Sequence, residues 1–269
     1  MSAAAPPLVG RDAELRALER ALERTGGGTS QALGISGEPG IGKSRLLGEL
    51  GRRAASRGHL VIAGRAAELE RDVPFALWVD ALDDHIARAG REALAGLGED
   101  LLAELAVALP SVARVAGVAP AMTGERHLVA RAIRGLLERM AAASPVTVLL
   151  DDVHWADPAS VDVITLLLHR LPEGPLLLAM TTRTGRSPAV EDALHAAERH
   201  RIPVALELGT LSREAVDALL APSLGTTVRA RLFRESGGNP FYLQALASAR
   251  SVWSWRGARG PPADGAATA

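Results

Sequence analysis

The chain has 269 residues, 48% of them hydrophobic and 23% charged, with a formal net charge of −1 and no cysteine. That length holds one large domain or a domain with a small satellite, and the composition excludes a disordered chain, a collagen-like chain and a coiled-coil rod. Disulfides, thiolate nucleophiles and thiolate metal sites are excluded, and no global basic field draws the chain to nucleic acid or anionic lipid.

Taken in order, residues 1–7 lack a basic region followed by an apolar core and do not read as a signal peptide. Residues 12–24 carry Leu15, Leu18 and Leu22 at helical spacing, and Gly26, Gly27 and Gly28 stop the run. A short apolar stretch, 32–35, reads as a strand and leads into a glycine-rich turn. Leu46, Leu47 and Leu50 then mark a second helix, and 59–63 reads as a second strand.

From residue 76 to 143 the pattern is helical throughout, with Leu97, Leu101, Leu105 and Leu109 on one face and Leu128, Ala132, Leu136 and Met140 on another. Pro110 and Pro120 divide it into separate helices. Residues 146–150 and 176–180 are continuous apolar runs, as strands covered on both faces should be, and 204–208 is a fifth strand. Neither run approaches the ~20 residues needed to span a bilayer, so a cytoplasmic protein without a membrane partner is expected.

Asp157-Pro158 is a helix start, Asp as N-cap and Pro at the first helical position. Residues 212–249 look helical, and 249–269, rich in Gly, Ala, Pro and Arg, read as a disordered tail. Strands alternating with helices imply an α/β fold with a mainly parallel five-stranded sheet flanked by helices. The domains expected are a core over 1–210 with a helical insertion at 76–143, then a partial helical lid over 211–248.

Two segments carry chemistry. Gly37, Glu38, Pro39, Gly40, Ile41, Gly42, Lys43 and Ser44 fit G-x-x-x-x-G-K-[ST], the phosphate loop of P-loop NTPases, and Arg45 extends the nucleotide-binding set. Its glycines let backbone N–H groups turn in around phosphate oxygens, and the next helix offers its N-terminus to the same anion. Lys43, the only lysine among 30 basic residues, places a compact charge near the β- and γ-phosphates, while the Ser44 hydroxyl suits Mg²⁺.

In the second segment the apolar run 146–150 passes directly into Asp151 and Asp152. Carboxylates at the carboxyl end of a buried strand point into the ligand crevice of an α/β sheet. Asp151 suits Mg²⁺ directly or through water, and Asp152 suits the orientation or deprotonation of an attacking water. His154 reads equally as a phosphate or substrate sensor and as a satisfied structural histidine, and Trp155 reads as packing.

The opening Leu8-Val9-Gly10-Arg11-Asp12-Ala13-Glu14-Leu15, the phosphate loop, the run from Leu149 to Pro158 and Gly237-Gly238-Asn239-Pro240-Phe241-Tyr242-Leu243 occur in this order. Together they resemble the AAA/Orc1-like ATPase module of the STAND class, and more narrowly the N-terminal module of large ATP-binding LuxR-type regulators. The resemblance covers Leu8 to about Ala247. It implies ATP/ADP and Mg²⁺ as ligands, with Val9, Gly10 and Arg11 near adenine and ribose. It makes Arg183 a sensor arginine at the γ-phosphate and has Pro240 close over the adenine from the lid. Gly10 also reads as a plain turn, Arg183 as a solvated loop residue and Gly238-Asn239-Pro240 as a generic turn.

Such regulators continue past this point into a sensor region and a DNA-binding helix-turn-helix. Their lack here reads as a shortened chain, with DNA binding not expected of it. The leading function is an ATP-binding switch with slow Mg²⁺-dependent hydrolysis, coupled to self-association or a regulatory protein partner. The alternatives are a remnant with little nucleotide binding, a small-molecule phosphotransferase, and nucleic-acid binding through Arg250, Trp253, Trp255, Arg256 and Arg259.

Overall fold

The computed structural model describes residues 8–122, 124–186, 188–199 and 203–248. The tail and its Arg/Trp set lie outside the described residues. The chain divides into two compact units, Ala13–Gly209 and a second made of Met1–Asp12 with Thr210–Ala269.

In the larger unit the helix α1 (Asp12–Gly26) precedes β1 (Gln31–Gly37), α2 (Lys43–Ser56) and β2 (Leu60–Arg65). Then come α3 (Ala76–Ala89), α4 (Arg91–Leu94), α5 (Glu99–Ala108), α6 (Pro110–Val112) and α7 (Arg126–Ala143). The rest is β3 (Val146–Asp151), α8 (Pro158–His169), β4 (Leu176–Thr181), α9 (Pro188–Arg199) and β5 (Pro203–Leu208). The five strands form one sheet in the order β2-β3-β4-β1-β5, and every pairing is parallel.

Apolar runs without alternation are what a parallel sheet covered on both faces requires. All six residues of β4 and the first five of β3 are buried. Val146, Val148 and Leu150 join a core with α3, α5, α7, α8 and α9. Leu149 faces the other way, toward Gly51 of α2. The sheet therefore has helices on both faces and its strand ends on one edge.

The insertion is less regular than its leucine spacing predicts. Glycines at 96 and 98 open a loop, so Leu97 lies between α4 and α5, although it still packs on the core. Pro110 starts α6 at its first turn, Val112 is followed by one π turn (Ala113–Gly117), and Pro120 lies in non-helical chain.

In the second unit the stretch expected to be helical holds, among the described residues, α10 (Arg213–Leu219), α11 (Thr226–Ser236) and α12 (Pro240–Ser248). The second break falls at Gly237 and Gly238, both at positive φ. The opening residues group with these helices and not with the sheet. Val9 packs on a cluster of Leu211, Ala215, Val216, Leu232 and Leu243.

Candidate functional site

Because β4 lies between β1 and β3, the phosphate loop and the acidic strand end flank the end of β4. At the end of β1, Gly37 has φ +145°, and a Cβ there would stand 2.8 Å from the Leu208 carbonyl oxygen. Gly40 and Gly42 also have positive φ, and Ile41 is buried. Gly42 precedes α2 in the left-handed region, and no side chain of the described residues caps that helix. A helix start of this kind turns its first N–H groups toward an anion.

Lys43 is buried, and its Nζ donates to the Gly37 and Glu38 carbonyls at 2.9 Å each. Burial pulls its pKa below the ordinary lysine value; the Asp152 carboxylate opposes this, and Arg183 adds to it. Lys43, Asp152 and Arg183 therefore share one electrostatic neighbourhood.

Beside it, the Ser44 Oγ donates to Asp151 Oδ1 at 3.0 Å. The same oxygen accepts from Thr181 Oγ1 at 2.5 Å, and Thr181 in turn accepts the Asp152 N–H at 2.8 Å. One carboxylate and one hydroxyl, neighbouring a phosphate cradle, fit Mg²⁺, which keeps waters and phosphate oxygens and needs no all-protein cage. Asp152 has φ +55°, one of two non-glycine residues at positive φ among the described residues. Its Oδ2 accepts from Arg65 Nη2 at 2.9 Å, while Arg65 Nε lies 3.9 Å from Asp151 Oδ2. Arg65 ends β2 in register with Asp151, and its backbone N–H donates to Asp80 of α3 at 2.7 Å.

The segment after Asp152 is pinned from two directions. Asp157 Oδ1 accepts the Ser160 N–H as the N-cap of α8, as its sequence predicts, and also the Phe75 N–H at the start of α3, both at 2.9 Å. Trp155 is half-buried with its ring under two guanidinium groups, Arg71 at 5.2 Å and Arg183 at 5.5 Å from the centroid. That is cation–π geometry. Arg183 is thus held by a side chain that the sequence marks only as packing.

The structure joins Lys43, Ser44, Asp151, Asp152 and Arg183 in one unit. Val9, Gly10, Arg11 and Pro240 belong to the other. There Gly10 has φ +68°, and a Cβ on it would stand 2.4 Å from the Ala215 Cβ, so glycine is required for close packing on α10. Arg11 is buried. Pro240 opens α12 beyond the glycine turn, whose Gly238 carbonyl accepts the Leu211 N–H at 2.9 Å. Sequence reasoning missed Arg65 and Thr181. Thr181 was visible as a hydroxyl at the end of a buried strand; Arg65 had no signal of its own.

A parallel sheet with a Gly-Lys-Ser loop on one strand and an Asp-Asp end two strands away defines a P-loop NTPase. More narrowly, the chain belongs to the AAA ATPase domain family, whose profile matches residues 7–179. An uncharacterised protein of Rhizobium meliloti is 27% identical over 197 residues, 66% of this chain and 18% of that protein. Among solved structures, the Aeropyrum pernix Orc1 protein in complex with DNA is 20% identical, with a TM-score of 0.48, over 95% of this chain and 64% of that one. AMPPCP-bound DnaA of Aquifex aeolicus is 17% identical, with a TM-score of 0.48, over 90% and 61%. The chain thus spans under a fifth of the curated relative and under two thirds of these two structures. No helix among the described residues is long and apolar enough to cross a membrane.

Proposed function

We propose that the chain binds ATP with Mg²⁺, hydrolyses it slowly and serves as a nucleotide switch. The observation that carries this is the Ser44–Asp151 hydrogen bond beside the Lys43 cradle, which joins the two motif segments across 107 residues. In this reading Gly37, Glu38, Pro39, Gly40, Ile41, Gly42 and Arg45 surround the phosphates with Lys43, and Ser44 and Asp151 hold Mg²⁺. Held by Ser44 and Asp151, the ion would supply neutralisation of phosphoryl charge. Asp152 orients or deprotonates the attacking water, and Arg183 faces the γ-phosphate. The ion pair of Asp152 with Arg65 adds a small brake on that turnover.

In this reading Val9, Gly10 and Arg11 serve the adenine and ribose and Pro240 covers the adenine, all four within the unit that carries the helical lid of 211–248. The motif order supports a place in a LuxR-type regulator, where the nucleotide state would govern self-association or a regulatory protein partner.

Equilibrium binding and phosphate release test this on the full chain. The wild type is expected to bind ATP in the micromolar range, and Lys43→Ala to abolish binding. Asp152→Asn is expected to bind as the wild type does and to turn over about 10²-fold more slowly. A wild type that binds no ATP overturns the reading, and equal turnover in the wild type and Asp152→Asn removes Asp152 from the water-activating role.

A further inference from the structure

His154 sits on the single 3₁₀ turn Val153–Trp155, directly after Asp152. Its side chain is buried, at 7% exposure, yet neither ring nitrogen has a hydrogen-bond partner among the described residues. It is the one side chain there with two such orphaned atoms. Buried polar atoms are nearly always paired, so a ring with neither nitrogen paired asks for a partner.

The surroundings say where that partner lies. One side of the imidazole is taken by Trp155, with ring centroids 5.1 Å apart and planes tilted by 41°. Trp155 also carries Arg183. The charges that act on the ring are, largest first, Asp152, Arg183, Lys43 and Arg186, and the first two also act on Lys43 beside the phosphate loop. Burial lowers the ring's pKa below the ordinary value; Asp152 opposes this and Arg183, Lys43 and Arg186 add to it, so the neutral ring is favoured. A neutral ring keeps one N–H donor.

We infer that His154 donates a ring N–H to a γ-phosphoryl oxygen of bound ATP and so distinguishes the triphosphate from the diphosphate. The inference rests on the ATP-binding reading above and adds a residue to it. Of the ligands that the phosphate loop selects, only a triphosphate brings acceptor oxygens past the β-phosphate. A hydrogen bond to a charged acceptor in a dry site is worth about 10- to 100-fold in affinity.

The test is calorimetric titration of the full chain with AMPPCP and with ADP, each with Mg²⁺, for the wild type, His154→Ala and His154→Gln. His154→Ala is expected to lose about 10- to 100-fold in AMPPCP affinity and to keep its ADP affinity. His154→Gln, which retains a neutral N–H donor, is expected to recover most of the loss. If His154→Ala lacks a cooperative melt, His154→Leu, which fills the space without a donor, carries the same comparison. Equal losses for both nucleotides, or none for either, overturn the contact while leaving the ATP-binding reading standing. A wild type that binds neither nucleotide overturns that reading, and the contact with it.

Discussion

Arg65→Ala removes the guanidinium that holds Asp152 at 2.9 Å and stands 3.9 Å from Asp151. The bare Coulomb energy of such a pair at 2.9 Å is about 1.4 kcal/mol in water and about 6 kcal/mol at an effective dielectric constant of 20. The Arg65 side chain is 69% exposed, so the water limit governs, and exposed pairs of this kind are worth about 0.2–1 kcal/mol. The variant should therefore melt within about 3 °C of the wild type. If Asp152 must leave Arg65 before it can act on water, that same energy appears in the barrier. Turnover should then rise about 1.5- to 5-fold, with the KM for ATP little changed. The Mg²⁺ concentration for half-maximal rate should fall, since Asp151 loses a competing cation. Phosphate release measured against MgCl₂ at fixed ionic strength gives both numbers, and repeating it in high salt should shrink the difference between the two proteins. Turnover that instead drops to the level of Asp152→Asn would refute this reasoning, because Arg65 would then act on substrate and not on Asp152.

Two further predictions concern the frame that holds the site. A Cβ on Gly64 would stand 2.8 Å from the Leu77 carbonyl oxygen and 3.0 Å from the Ala81 nitrogen, both backbone atoms of α3 that cannot swing aside. Gly64→Ala should cost about 1–3 kcal/mol and lower the melting temperature by about 2–12 °C, whereas Gly48→Ala, with nothing within 4 Å, should raise it slightly; matching shifts would refute the packing argument. His59, His85 and His154 all have pKa values lowered chiefly by burial, so the unfolded chain binds protons at these sites before the folded one does. Their contribution to stability is complete above about pH 6.5 and is lost as pH falls from there through the folded values, so thermal melts should weaken from pH 7.5 to 5.5, and a flat profile would count against it.

The motif-bearing parts of this fold are local in sequence, and for that reason they were legible. A glycine loop between a strand and a helix, and two aspartates closing an apolar run, announce themselves within ten residues. Buried parallel strands read as unbroken Val/Leu/Ile runs, so all five strands were found, although β2 extends to Arg65 and not Ala63. Those two extra residues matter, because they bring Arg65 to Asp152. That contact depends on β2 lying beside β3 in the register Arg65↔Asp151, a pairing between distant segments that no local pattern reports. Thr181 reaches Asp151 for the same reason, by way of β4 next to β3. The loop at 95–98 escaped because Leu97 packs on the core whether or not it is helical, so apolar periodicity survives a break in the backbone. His154 stood undecided between sensor and structural residue, since burial without a partner is a property of three dimensions.

The doubled hydrogen bond on Asp157 has a consequence in time. A ribosome delivers Phe75 and the whole of α3 well before Asp157, 82 residues later in the chain. β2 waits as long for its neighbour, since Leu60 pairs with Val146. Until β3 and the start of α8 emerge, α3 has no acceptor for its leading N–H, and Asp80 has no settled strand on which to hold Arg65. The part of the molecule that restrains Asp152 is therefore synthesised before the segment on which it assembles, the very segment whose chemistry it restrains.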